Sequence, residues 1–146
     1  MAHPLLIRAM RSEDAVAVAA LSTQLGYPAT EIEIRRRTDA IMGRPDARLF
    51  VAEAPDTRVV GWIHVQITWL LESDQRAEIW GLVVDETARG TGVGRRLVEA
   101  AEQWALTAGI RVMAVRSNQT REAAKKFYEH LGYIVTKTQN AFRKVL

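Results

Sequence analysis

The chain has 146 residues, 48% of them hydrophobic and 25% charged, with a formal net charge of +3 and no cysteine. This is the usage of one packed domain over residues 1–146, long enough to bury a core without disulfide or metal staples, and the missing cysteine excludes thiolate metal sites and a cysteine nucleophile. No apolar run approaches the roughly 18 to 20 residues of a membrane helix, and the Met-Ala-His-Pro start lacks a basic region followed by an apolar stretch, so a cytoplasmic protein without membrane contact is expected.

Residues 5–10 read as a short strand. Ser12 is placed as a helix N-cap with Glu13 and Asp14 in the first turn, followed by apolar spacing through Val16, Ala20 and Leu21 to a stop at Gly26. A second helix is predicted over 31–42, with Ile34 and Ile41 on one side and Arg35, Arg36 and Arg37 on a solvated face. Stretches 49–54 and 59–69 are rich in Val, Ile, Phe and Trp and are separated by Pro55-Asp56-Thr57, which predicts a hairpin. After a polar turn over 72–76, residues 77–84 form a further strand. From 92 to 108 the pattern is helical, with Leu97, Val98, Ala101 and Ala105 on one face and Gly109 as C-cap. A strand over 112–117, a helix over 120–130 stopped by Gly132, and one or two closing strands over 134–146 complete the reading. The order predicts an α+β fold with a central mixed, mostly antiparallel sheet flanked by helices.

Basic residues gather in the second half, at Arg89, Arg95, Arg96, Arg111, Arg116, Arg121, Lys125 and Lys126, which favours a local anionic ligand. No interleaving of aromatic and basic residues and no recognition-helix pattern accompanies them, so nucleic acid is not expected as a partner. Between the strand ending Leu82-Val83-Val84 and the following helix lies Arg89-Gly90-Thr91-Gly92-Val93-Gly94-Arg95. Three glycines remove side chains where a ligand must approach the backbone, the helix start offers unpaired N–H groups and the positive end of a dipole, and Arg89 and Arg95 add charge. The opposing reading is a glycine-eased turn that binds nothing. A nucleoside-triphosphate loop needs Gly-Lys followed by Ser or Thr, whereas Gly94 is followed by Arg95-Arg96. A dinucleotide fingerprint fails because its third glycine would fall on Arg95 or Leu97.

Arg89-x-x-Gly92-x-Gly94 resembles the Arg/Gln-x-x-Gly-x-Gly/Ala signature of the GCN5-related N-acetyltransferases. A second block, Phe127-Tyr128-Glu129-His130-Leu131-Gly132-Tyr133, resembles that family's later motif. The resemblance implies acetyl-coenzyme A as donor, pantetheine pairing to the strand backbone around Leu82, Val83 and Val84, and pyrophosphate held by Gly90, Thr91, Gly92, Val93, Gly94 and Arg95 beside Arg89. It implies no metal, and a homodimer is compatible with it. Where many relatives carry an Asn seven residues before the motif tyrosine, this chain has Arg121, with Asn118 three residues earlier; both are candidates for cofactor contact. The strand over 112–117 lacks the carboxylate that some relatives carry there.

Acetyl transfer to an amine must remove a proton from a group whose pKa is about 10.4 and must support both the carbonyl oxygen and the departing thiolate. Tyr128 matches the family's tyrosine and is the candidate acid; the alternative is a core tyrosine beside Phe127. Glu78 lies eleven residues before Arg89, where some relatives carry a catalytic Glu. Simple alternation gives Glu78 the face of Trp80 and Leu82, an apolar setting suited to accepting a proton, against the alternative of an ion pair with an Arg on an exposed face. His3, His64 and His130 are too scattered for a metal site and read as structural or exposed. Trp62, Trp69, Trp80 and Trp104 are core residues or pocket walls, with Trp80 the best candidate wall. Acceptor selection is expected from Tyr27, the helix over 31–42 and the loop over 70–75. The acceptor is read as a small-molecule amine, the alternatives being a protein lysine or N-terminal amine, or a non-catalytic coenzyme A sensor, against which Glu78 and Tyr128 argue.

Overall fold

A computed structural model describes residues 4–117 and 119–146, and the chain forms two compact units, Met1–Val115 and Arg116–Leu146. The first unit runs β1 (Leu6–Ala9), α1 (Ala15–Gln24), α2 (Glu31–Met42), β2 (Ala47–Glu53), β3 (Val59–Thr68), β4 (Arg76–Val84), α3 (Val93–Thr107) and β5 (Met113–Val115). The five strands lie in the order of the chain. The first four pair antiparallel and β5 runs parallel to β4, which is the mixed, mostly antiparallel sheet anticipated.

Local signals fix α2. Glu33 N–H donates to the Thr30 hydroxyl oxygen at 3.1 Å while the Glu33 carboxylate accepts from Thr30 N–H at 3.2 Å, a reciprocal cap that satisfies two orphan donors. The start of α1 differs from expectation. Ser12–Asp14 is a tight 3-10 turn, whose winding shifts the helix phase, so Ala15, Val18, Ala19, Leu21 and Ser22 face inward while Val16 and Ala20 face solvent.

That turn is anchored by Asp14, which accepts from both terminal nitrogens of Arg8 at 2.8 and 2.9 Å and from Arg11 N–H at 2.8 Å. Arg8 also donates to Glu53 at 3.2 Å, tying β1 and β2 to the turn. Burial pushes the Asp14 carboxyl up, but the hydrogen bonds from Arg8 and Arg11 outweigh it and hold the group below its ordinary range. Asp14→Ala should therefore cost about 3 kcal/mol at neutral pH, because it leaves a shielded guanidinium with Glu53 alone and the Arg11 N–H without its carboxylate acceptor. A depressed carboxylate contributes in full above its unfolded value of about 3.9, and the contribution fades as pH falls through the lower folded value. In urea titrations the gap between wild type and variant should narrow toward about pH 2; an equal gap at both pH values would assign the loss to packing instead.

Alternation along β3 sorts the core. Gly61, Ile63 and Val65 share the face covered by α3: a Cβ at Gly61 would stand 3.0 Å from the Leu97 side chain. On the opposite face Trp62 packs with Leu49 and Val51 against Met10, Ala15, Val18, Ala19 and Ile34, beneath α1 and α2.

The second unit carries α4 (Glu122–His130). Gly132 N–H bonds the Glu129 carbonyl at 3.1 Å and Tyr133 N–H the Tyr128 carbonyl at 3.0 Å, closing the helix with a Schellman turn. The Tyr133 and Tyr128 rings meet edge to face, supplying the apolar contact that accompanies such a turn. The closing strands expected over 134–146 are not formed. These residues carry no regular structure, and Ile134, Val135, Phe142 and Val145 are exposed. A strand exists only by pairing, and among its described residues this unit contains no strand to pair with. Among the described residues no helix is long and apolar enough to cross a membrane.

Candidate active site

The β3–β4 ladder slips by one residue: His64 pairs with Gly81 and Val65 with Ile79, leaving Trp80 as the extra residue of a bulge. The slip corrects the expected grouping of Glu78, Trp80 and Leu82. Beyond the bulge Leu82 pairs with Ile63 and belongs to the α3 face, whereas Trp80 and Gly81 wall a cavity on the other face. Gly81 makes room there for Trp62, whose ring would lie 2.7 Å from a Cβ.

That cavity, of about 410 Å³, lies between α1, α2 and strands β2 to β4, and falls within the range of small-molecule sites. Tyr27, Trp62 and Trp80 line it, together with Arg37 and Thr38 of α2. Residues 70–75 do not. Trp69 is 71% exposed, and the Trp104 ring carries the Arg48 guanidinium 5.4 Å from its centroid; neither lines the cavity.

Glu78 is 3% exposed, and its Oε1 accepts from Arg76 Nε at 2.8 Å. It is both buried and ion-paired, so the pairing with an Arg is present but not on the exposed face the sequence suggested. By register it shares the cavity face with Gln66, one pair from the bulge, yet it does not line the cavity. His64 does, and nothing in the sequence singled it out. Burial pushes its imidazole below the ordinary value, partly offset by the Gln66 side chain, so the ring is neutral at physiological pH. His64 Nε2 and Trp62 Nε1 are buried and lack hydrogen-bond partners among the described residues, a state costing about 1–3 kcal/mol per group. His130 is exposed, with Nδ1 2.7 Å from the Lys126 carbonyl, and His3 lies outside the described residues. Among the described residues no three His, Cys, Asp or Glu side chains are grouped to hold a metal.

The glycine turn is built from its own residues. Asp85 accepts from Thr87 N–H at 2.9 Å and from its hydroxyl at 2.8 Å, Glu86–Ala88 forms one 3-10 turn, and the Thr91 hydroxyl bonds the Ala88 carbonyl. Gly90 and Gly92 take φ of +79° and +89°, a region that glycine enters without a Cβ penalty. A Cβ on either would meet nothing within 4 Å, so their role is backbone conformation facing open space. Gly92 caps α3, no side chain caps that helix, and the Arg96 N–H bonds the Gly92 carbonyl at 3.1 Å. The amides of Val93, Gly94 and Arg95 thus form the open first turn of a helix at the positive end of its dipole.

Val83 and Val93 are buried and can offer a ligand only backbone atoms. Arg89 is exposed and folds its Nε toward the Val84 carbonyl at 3.4 Å. Arg95 pairs with Glu99 at 2.9 Å on the surface, a link weak enough to be redirected toward an anion. The ladder to β5 ends at Ile79 opposite Val115, so β4 from Trp80 to Val84, including Leu82, has no strand on that edge among the described residues. In the second unit Arg121 precedes α4 without capping it, and Tyr128 packs edge to face on Phe127 at 5.0 Å. Burial pushes the Tyr128 phenol up to about 12. Asn118 lies outside the described residues.

A mixed sheet with a bulged central strand, an open strand edge and an uncapped glycine helix start offers backbone groups to an extended ligand with an anionic part. The chain belongs to the acetyltransferase (GNAT) family, whose profile matches residues 10–133. It is thus an enzyme that uses acetyl-coenzyme A as its acetyl donor. It is similar to the aminoglycoside N(6')-acetyltransferase type 1 of Klebsiella aerogenes, with 28% identity over 97% of each chain. An uncharacterised N-acetyltransferase of Methanocaldococcus jannaschii is 30% identical over 95 residues, 64% of this chain but 42% of that longer relative. The solved structure of AAC(6')-Iy in complex with a bisubstrate analogue superposes with a TM-score of 0.85 at 22% identity, covering 99% of this chain and 100% of that one, which speaks for the fold.

Proposed function

We propose that the chain moves acetyl directly from acetyl-coenzyme A to an amine of a small molecule. The observation that carries this reading is the cavity of small-molecule size walled by Trp80 and Gly81 at the bulge of β4, the strand whose open edge leads to the glycine turn. In this reading the pyrophosphate rests on the backbone from Gly90 to Arg95 with Arg89 alongside, and pantetheine pairs with the free edge at Leu82 and Val84. Arg121 and Asn118 are kept as candidates for further cofactor contacts on the sequence resemblance alone. Tyr128 supports the departing thiolate, and Glu78, which does not line the cavity, takes the amine proton through water. The test is thiol release from acetyl-coenzyme A across a panel of amines and peptides. Release with small amines and not with peptides supports the proposal, whereas release with peptides alone transfers it to a protein acetyltransferase.

Glu78→Gln keeps the size of the side chain and an acceptor for Arg76 but removes basicity. Its kcat/KM should fall about 10²-fold at neutral pH and recover in part as alkaline solution supplies neutral amine, whose pKa is about 10.4. A pH–rate profile superimposable on wild type would leave deprotonation to bulk water.

A further inference from the structure

We propose that the cavity beneath α1 and α2 receives the acceptor and selects an amine with an apolar or aromatic body and at most one positive charge, in preference to a polycation. The inference rests on the acetyltransferase reading and adds its substrate class. Tyr27, Trp62 and Trp80 give the walls aromatic surface, and Ile34 and Ile41 of α2 add aliphatic surface. Among the described residues no Asp or Glu lines the cavity, and the one charged side chain in its wall is Arg37. The other polar side chains there are the hydroxyls of Ser22, Tyr27 and Thr38, the Trp62 and Trp80 indoles and the His64 imidazole, which burial holds neutral.

A polycation brings several ammonium groups, each of which exchanges its water for protein contacts only where carboxylates replace that water. This cavity offers none and opposes entry with a guanidinium. Arg37 does pair with Glu33 at 3.1 Å, but Glu33 is outside the wall. A single amine on an apolar body meets different conditions. Its body gains from the aromatic and aliphatic walls, and its one ammonium can lie against an aromatic face until it loses its proton. The acceptor class named for the Klebsiella relative does not transfer with the fold, because acceptor choice resides in wall residues.

The experiment compares 2-phenylethylamine and tryptamine with spermidine and kanamycin as acceptors, and measures binding of the same four to the coenzyme A-loaded protein by calorimetry. The aromatic monoamines should show kcat/KM at least about 10-fold higher and should be the ones that bind. Arg37→Glu, which reverses the one wall charge, should shift the preference ratio toward spermidine by about 10-fold or more with acetyl-coenzyme A affinity unchanged. Higher kcat/KM for the polycations, binding of none of the four, or an Arg37→Glu ratio equal to wild type would each overturn the proposal. Acetyl transfer to the polycations with none to the monoamines would defeat the substrate class and leave the small-molecule reading standing; transfer to peptides alone would defeat that reading itself.

Discussion

Tyr128→Phe should lower turnover about 10²-fold while affinity for acetyl-coenzyme A and thermal stability stay close to wild type. The ring contacts of Tyr128 with Phe127 and Tyr133 involve the aromatic faces and edges, which phenylalanine keeps. The lost group is the hydroxyl, and burial lifts its pKa to about 12, so it remains protonated throughout the physiological range. An alkyl thiol has a pKa of about 8.5, and a gap of about 3.5 units, at 1.36 kcal/mol each, sets about 5 kcal/mol against complete transfer from phenol to thiolate. On the proposed reading the phenol acts by hydrogen-bonding the sulfur as charge builds on it, and the proton that finally neutralises the thiolate comes from elsewhere. It follows that Tyr128 contributes no limb to the wild-type pH–rate profile below about pH 11. Single-turnover measurements separate chemistry from product release. Unchanged chemistry in the phenylalanine variant would reassign Tyr128 to a packing role.

Gly94→Val should abolish acetyl-coenzyme A binding and leave a folded protein. Gly94 is half-buried in the first turn of α3 and does not take a positive φ, so a valine fits the backbone there while filling space beside the open amides. Gly92 is a poorer probe. At φ +89° a side chain costs about 1–2 kcal/mol, so substitution there mixes lost folding with lost binding. Gly92→Ala should lower the melting temperature by several degrees, and this variant separates the two effects. Arg89→Ala, which removes an exposed charge without touching the turn, should weaken affinity by about 1–3 kcal/mol. Calorimetry decides among these variants. Unchanged binding in Gly94→Val would remove the phosphate cradle from the proposal.

What the sequence determined by itself was everything written in short-range chemistry. The bounds of α2 follow from Thr30 and Gly43, the end of α4 from Gly132, and the turn into α3 from Gly90 and Gly92. In each case the hydrogen bonds join residues a few positions apart, so their pattern survives in one dimension. The bulge at Trp80 is of another kind. It exists only as a mismatch between β3 and β4, and Gly81, which stands next to the extra residue, does not by itself say where the two strands slip. Once it forms, Leu82 moves to the α3 face and His64 comes opposite Gly81 in the wall of a cavity whose other sides come from α1, α2 and β2. The partner of Glu78, too, is set by tertiary packing, because Arg76 lies two residues away on the same strand but pairs with a carboxylate that only the folded sheet buries. The tertiary structure thus decided which side chains meet across strands, since register is fixed by packing both faces of a sheet at once.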